Sequence, residues 1–306
     1  MKFVAYIIVY AFLWLISRLP LRCLHIISDG LFPFVYYLVK YRRGVVRSNL
    51  EKAFPDYSEE QIKKTEKAFY RHFTDLILES AVMNFIPYER ASKRFSLKNP
   101  ELVEELYKRN MDILGVGGHY GNWEFLNHME NHFDYRFVAI YKPLNNKYFD
   151  RMVRNRRSKY GSIMAPVNHV ARTLIDLKKK NILSFTGFLA DQRPVWQHIQ
   201  YWTKFMGVDS PVFIGPEKIA KKINSAVVFI NIRRLKRGIY EAEFELITQD
   251  PKAEKPYAIT ESYLRHLEKL IMEEPSWYLW SHNRWKFSYE KYKEAHPNYR
   301  KLGSSN

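Results

Sequence analysis

One cysteine, Cys23, stands in 306 residues. No internal disulfide framework can form, a cysteine-based zinc site is excluded, and a reducing compartment suits such a chain. Internal repeats and low-complexity linkers are missing as well, so the chain reads as one large domain with appendages. It contains no zinc-finger spacing and no RNP-type aromatics in a basic frame, which removes the motifs of nucleic-acid binding. Acidic residues are the scarce sign of charge, 32 against 49 lysines and arginines, for a net charge of +17.

Such a balance attracts polyanions: anionic lipid headgroups, phosphorylated substrates or an acidic carrier protein. Aromatics make up 16% of the chain, a share that suits contact with lipid interfaces, where Trp and Tyr concentrate. The N-terminus tips the choice towards membrane. Phe3–Ile16 is apolar throughout, with Lys2 before it and Arg18 after. It resembles a signal-sequence core, but Arg18 and Pro20 stand where a small-residue cleavage site belongs. It is short for a hydrocarbon core of roughly 30 Å. With Leu31–Val39 it is expected to form an embedded or re-entrant anchor over residues 1–40, the alternative being a buried hairpin. Tyr41, Arg42, Arg43 and Arg47 then make a basic collar of the kind found where a chain leaves a membrane on the cytoplasmic side.

The stretch Leu114–Phe125, LGVGGHYGNWEF, organises the rest. Ile113–Val116 predicts a short buried strand. Gly117 and Gly118 permit the turn that ends it, and Trp123–Glu130 has helical composition. His119 and Glu124 are five apart, about 140° around one continuous helix, so on such a helix they would not meet. With His119 in the turn and Glu124 in the first helical turn, the carboxylate can reach the imidazole. It would fix the tautomer and stabilise the imidazolium, making a general base beside the N–H donors of a helix start. The stretch holds no Ser or Cys, so the nucleophile would come from the substrate. Two other readings stand beside this one. His119 and Glu124 can serve structure alone. Alternatively, Glu124, His128 and His132, spaced by four, can present three metal ligands on one helix face, although no H-E-x-x-H pattern occurs.

Elsewhere, Ser58 caps a helix through Met83 whose stripe of Ile62, Phe69, Phe73, Leu76 and Ile77 predicts packing without chemistry. Arg90–Asn110 reads as charged helix. Arg136–Tyr141, Ile182–Phe188, Ala226–Ile232 and Ile239–Ile247 read as strands, the last a half-exposed edge. Asn146–Tyr160, Ala171–Lys180, Glu217–Ile223 and Ala258–Glu274 read as helices. Four arginines in Asn146–Tyr160, among them Arg154 and Arg157, exceed what a solvated face requires and suit a phosphate fork. Asp191 and Gln192 follow a buried strand, at the carboxyl end where open α/β sheets hold their sites. Gln200–Gly207 is an aromatic segment fit for an acyl chain or for core packing. From Phe287 the tail reads as polar and loose. The alternation predicts an α/β fold with a mostly parallel sheet flanked by helices, behind the anchor: residues 41–290 as the domain, 291–306 as tail.

HYGNWE resembles the H-x4-D/E motif of the lipid A acyltransferases, within the wider lysophospholipid acyltransferase-like superfamily. The resemblance extends to the lead-in Tyr41–Asp56, to Lys142-Pro143-Leu144, to Arg157 before Tyr160-Gly161, to Asp191-Gln192, to the aromatic segment ending in Phe-x-Gly, and to Pro275–Lys286 with Trp280, His282, Arg284 and Trp285. It implies a membrane-associated O-acyltransferase on the cytoplasmic face of the bacterial inner membrane. A fatty acyl group would pass from a thioester, on acyl carrier protein or acyl-CoA, to a hydroxyl of a lipid A precursor. No metal or other cofactor is implied. His119 would be the base and Glu124 its partner, with donors near Gly121 and Asn122 at the oxyanion. Lys142, Arg154, Arg157, Asp191 and Gln192 would bind substrate or support the site, and Pro275–Lys286 would lie at its mouth. An F-P-E-G-T-R-like block is lacking, Gly215-Pro216-Glu217 being a faint echo, which favours lipid A over glycerolipid chemistry. The alternatives are another lipid acceptor (glycolipid, lysophospholipid or aminolipid) and a catalytically silent basic membrane-binding protein of the same fold.

Overall fold

The structure, a computed structural model, describes residues 2–83, 85–141, 161–297 and 299, together with 146, 148, 150, 151 and 154. Seven strands form one sheet in the order β1-β9-β8-β2-β5-β3-β4. They are β1 (Phe95–Leu97), β2 (Ile113–Gly117), β3 (Arg136–Tyr141), β4 (Ile163–Pro166), β5 (Ser184–Leu189), β8 (Ala226–Lys236) and β9 (Ile239–Thr248). The strands from β8 across to β4 run parallel to one another, whereas β9 is antiparallel to β8 and carries β1 parallel to itself. The α/β architecture with a mostly parallel sheet is therefore the one the alternation predicts.

Successive residues of β8 face opposite layers. Val227 and Phe229 belong to one core, with helices α4 (Glu59–Val82), α7 (Val170–Lys179), α8 (Gly215–Ile223) and α9 (Ala258–Glu273). Val228, Ile230 and Ile232 belong to the other, with α5 (Tyr88–Ser92), α6 (Glu101–Lys108) and the 3₁₀ helix Trp123–Asn131. The central strand β2 is buried along its whole length, as a strand covered on both faces must be.

Three expectations change. Arg90–Asn110 is not one helix: α5, β1 and α6 share it, because Phe95 and Leu97 turn inward and pair with Tyr240 and Ala242. That pairing takes Tyr240–Ala242 of β9 off the edge. Its alternation reports an inner row of Tyr240, Ala242 and Phe244 against an outer row of glutamates, which is information about faces and not about neighbours. Of the two readings for Gln200–Gly207, core packing holds: Tyr201, Trp202, Phe205 and Met206 are buried, on a two-stranded hairpin of β6 (Tyr201–Phe205) with β7 (Val208–Val212). The tail after Phe287 is helical in α10 (Tyr289–Ala295), where Ser288 caps the start and Tyr292 buries its ring beside Trp196 and Trp202.

Residues before the collar form α1 (Lys2–Ile16), α2 (Leu21–Pro33) and a π-helix, Phe34–Val39. Ile16 and Leu24 pack against Leu78 and Val82 of α4, while Phe12, Trp14, Leu15, Ile26 and Leu38 remain exposed. No helix among the described residues is long and apolar enough to cross a membrane. The helix expected over Asn146–Tyr160 lies mostly outside the described residues, as do Lys142 and Arg157.

Candidate active site

Strands β2 and β5 pair in parallel through Gly117 and Leu189, and the Ala190 N–H donates to the Gly117 carbonyl at 3.2 Å. The next residues on the two strands are therefore neighbours, and they include His119 and Asp191. The His119 Nδ1–H donates to Asp191 Oδ1 at 2.7 Å, and the aspartate is buried. This fixes the tautomer and leaves a lone pair on Nε2. The Gln192 amide donates weakly to that lone pair at 3.4 Å. Trp123 stands edge-on to the imidazole, ring centroids 4.9 Å apart.

The carboxylate on the imidazole is thus Asp191, which the resemblance places only among the site-supporting residues, and not Glu124. Glu124 lies in the first turn of the 3₁₀ helix, where Oε2 accepts from the Asn127 amide at 3.2 Å. It acts on His119 through its charge. Burial pushes the His119 pKa down, but the charge of Asp191, its hydrogen bond and the charge of Glu124 outweigh burial and hold it above the ordinary value. Burial likewise raises Asp191, and the neighbouring imidazolium and its hydrogen bond bring that carboxyl below the usual range.

The turn holding His119 is built from elements far apart in sequence. Gly121 has φ +61, and a Cβ there would sit 2.5 Å from the Ile232 carbonyl oxygen, so only glycine fits. Its N–H donates to the Trp277 carbonyl at 3.0 Å, while the His119 carbonyl accepts from the Leu279 N–H at 3.0 Å. The Gly121 amide is therefore spent on structure and is not the oxyanion donor expected of it. The Asn122 side chain is also committed: it is fully buried, and Nδ2 donates to Glu79 Oε2 at 2.9 Å. What remains at the imidazole is the start of the 3₁₀ helix, whose leading N–H groups carry partial positive charge.

Helix α4 contributes more than packing, contrary to the expectation for it. His72 Nε2 donates to the Gly121 carbonyl at 3.1 Å, and complete burial pulls the His72 pKa down to about 4. Glu79 holds Asn122 and faces Arg94 and His25. Ile77 does not join the core stripe; it lines the mouth of the site and is 41% exposed. His72, Asp75 and Glu79, charged or polar residues on the buried side of an amphipathic helix, were the available signal for this role.

A cleft of about 460 Å³ opens beside His119. Phe73, Leu76, Ile77 and Trp123 form its apolar wall, and Glu124, Gln192, His282 and Arg42 its polar side. Leu279, Ser281 and His282 bring the C-terminal signature to the mouth, as expected. Asn49 clamps that segment, donating to the carbonyls of Trp280 at 2.8 Å and His282 at 2.7 Å. Behind Asp191, Arg284 is buried over Phe205 and donates to the Pro211 carbonyl at 2.9 Å; burial lowers its pKa, and the charge of Asp191 works against that. Arg154 lies outside the cleft, exposed, 4.0 Å from Asp150. Among the described residues no three His, Cys, Asp or Glu side chains gather in a way that could hold a metal ion, so Glu124, His128 and His132 do not form the ligand set weighed above.

The sequence profile of the bacterial lipid A biosynthesis acyltransferases matches residues 2–287. A lipid A biosynthesis palmitoleoyltransferase of Escherichia coli (strain K12) is 23% identical over 279 residues, 90% of this chain and 88% of that protein. A lipid A biosynthesis acyltransferase of Shigella flexneri matches equally, at 23% over the same shares of each chain. A lipid A biosynthesis lauroyltransferase of E. coli (strain K12) is 22% identical over 90% of this chain and 89% of its own.

Proposed function

The chain belongs to the bacterial lipid A biosynthesis acyltransferase family and is an acyltransferase; on that premise we propose that it moves a fatty acyl group from an acyl thioester to a hydroxyl of a lipid A precursor, with His119 as general base. The observation that carries the mechanism is the 2.7 Å contact between His119 and Asp191. It leaves Nε2 unprotonated and directed to Gln192 at the cleft. An acceptor hydroxyl displaces the weak Gln192 contact and gives its proton to Nε2. The alkoxide adds to the thioester carbonyl, and the intermediate collapses to the ester. The departing thiolate takes back the proton from the imidazolium, so no proton is gained or lost overall. Asp191 and Glu124 stabilise the imidazolium between those two transfers.

The thioester is carried by acyl carrier protein or coenzyme A; no further cofactor enters the scheme. The reaction takes place at the cytoplasmic face of the inner membrane. Two features support this: exposed apolar side chains on α1, α2 and the π-helix, and the exposed Tyr41 and Ile77 at the cleft mouth. Apolar side chains left exposed in this way are suited to contact with lipid.

The test is acyl transfer by purified enzyme in detergent, paired with mass spectrometry of lipids from a deletion strain. His119→Ala lowers kcat by about 10²–10⁴, the range for a lost general base. The deletion strain lacks one secondary acyl chain on lipid A. A change in another lipid class instead assigns the other acceptor. Full turnover by a well-folded His119→Ala protein overturns the mechanism.

A further inference from the structure

The three arginines of the collar have different fates. Arg43 Nε donates to Glu66 at 2.8 Å, and Arg47 NH1 donates to the other oxygen of the same buried carboxylate at 3.2 Å. Arg47 also reaches Glu51 and Glu59. Those two guanidiniums are neutralised and bind α3 (Arg43–Ala53) to α4. Arg42 turns the other way. Its side chain lines the cleft beside Gln192, Glu124 and His282, and its one hydrogen bond, NH1 to the Ser281 carbonyl at 3.1 Å, uses a neutral acceptor. Among the described residues no carboxylate pairs with it.

The direction of Arg42 is built into the backbone. It caps α3 from a left-handed conformation, φ 50 and ψ 26, and Lys40 two residues earlier is left-handed as well. Left-handed backbone is disfavoured for residues with a Cβ, and it persists where surroundings enforce it. They do so here on both sides of the turn. The Tyr70 hydroxyl donates to the Tyr41 carbonyl at 2.5 Å, Tyr41 stacks on Phe73 with centroids 5.7 Å apart, and Val46 donates to the Arg42 carbonyl at 3.0 Å. The strained turn thus sets one guanidinium at the cleft, with four of its five N–H donors uncommitted.

From this arrangement we propose that Arg42 is a phosphate-binding residue of the cleft, holding a phosphate of one of the two substrates while His119 works at the reacting hydroxyl. The chemistry fits a phosphate ester because a planar fork of donors matches phosphate oxygens. Both substrate classes of the acyl-transfer reading, on which this assignment rests, carry such a group. The donor has the phosphate of a phosphopantetheine arm, and the acceptor has phosphates on its sugar headgroup.

Binding measured without turnover separates the two sources and does not depend on which residue is the base. The donor probes are an acyl pantetheine and its 4′-phosphorylated form; the acceptor probes are a phosphorylated lipid A precursor in mixed micelles and the same lipid dephosphorylated. In wild type the phosphorylated member of one pair binds more tightly. Arg42→Gln, which retains a donor for Ser281, abolishes that preference by weakening the phosphorylated member about 10- to 100-fold and sparing its partner. Arg42→Lys restores part of it. Loss on the donor pair assigns the phosphopantetheine arm, and loss on the acceptor pair assigns the lipid headgroup. Equal affinities in wild type and Arg42→Gln for both pairs overturn the proposal. It is overturned too if Lys63→Gln, which removes an exposed charge on α4, weakens binding as much.

Discussion

Asp191 Oδ1 lies 2.7 Å from His119 Nδ1, across two parallel strands and 72 residues of sequence. The pairing joins two motif elements that a linear reading treats separately, and it ranks the two carboxylates near the imidazole. Asp191 makes the hydrogen bond and supplies the larger of the two charge effects; Glu124 contributes charge alone.

Asp191→Asn accordingly costs more than Glu124→Gln. The asparagine can present its N–H to Nδ1 and favour the wrong tautomer, so kcat falls by about 10²–10⁴ as for loss of the base. Glu124→Gln costs less, and His119→Ala combined with Asp191→Asn is little worse than either alone, because the pair acts as a unit. Single-turnover acyl transfer on the four proteins checks the order. A Glu124→Gln defect exceeding that of Asp191→Asn reverses the assignment.

The pH profile follows from the direction of the His119 shift. A base must be unprotonated to act, so kcat/KM rises with pH through the His119 pKa, which lies above the ordinary histidine value. Glu124→Gln removes one of the causes that raise it, and the acid limb moves to lower pH. An unmoved limb in that variant shows that Glu124 does not act on the base.

Stability has its own pH dependence, and it too declines as pH falls, although the shift behind it is downward. His72 is fully buried and titrates at about 4, whereas an unfolded histidine takes its proton near 6.5. Its neutral burial contributes most at neutral pH and is lost as pH falls from the unfolded towards the folded pKa. Between pH 7 and 5 its share of the loss is about 2 kcal/mol. Urea unfolding at the two pH values should show a smaller change for His72→Gln than for wild type.

Gly121→Ala should not give a stable protein. Alanine at φ +61 is strained, and its Cβ meets the Ile232 carbonyl, a backbone atom of the central sheet with little room to retreat. A loss of about 3 kcal/mol or more is expected, seen as a lowered Tm together with lost activity.

Asn49→Ala tests the clamp on the C-terminal signature. It leaves the Trp280 and His282 carbonyls without their shared donor, at a cost of about 1–3 kcal/mol. Because Leu279, Ser281 and His282 line the cleft, KM should rise before folding is lost. Unchanged kinetics in a stable variant mean that the segment holds its place without Asn49.

The strand β2, the turn after it and the mostly parallel character of the sheet were legible because an apolar run, glycines and the alternation of strands and helices are local features. His119 and the Asp191-Gln192 pair were legible as motifs. Their contact was not, because it depends on which strands become neighbours. Glu79 and His72 escaped notice for the opposite reason: on a helix with a clear apolar stripe, a buried acid looks like a solvated one until its partners, Asn122 and Gly121, arrive from elsewhere. The edge role given to β9 failed because a three-residue strand leaves no periodic signal of its own. Arg42 read as part of a uniform basic cluster, since the carboxylate shared by Arg43 and Arg47, that of Glu66, comes from another helix.

The bridge between Tyr120 and Tyr278 has a temporal meaning. During synthesis the strand bearing His119 emerges long before the segment that fixes its turn through Trp277 and Leu279. Contacts of such separation in sequence form late, after the local structure on either side. The nascent chain carries its base, its carboxylate and its apolar N-terminal helices well before the mouth of the cleft exists. Under the proposed function, contact of those helices with the membrane can therefore precede competence for transfer, which waits for the segment around Trp277 and Leu279.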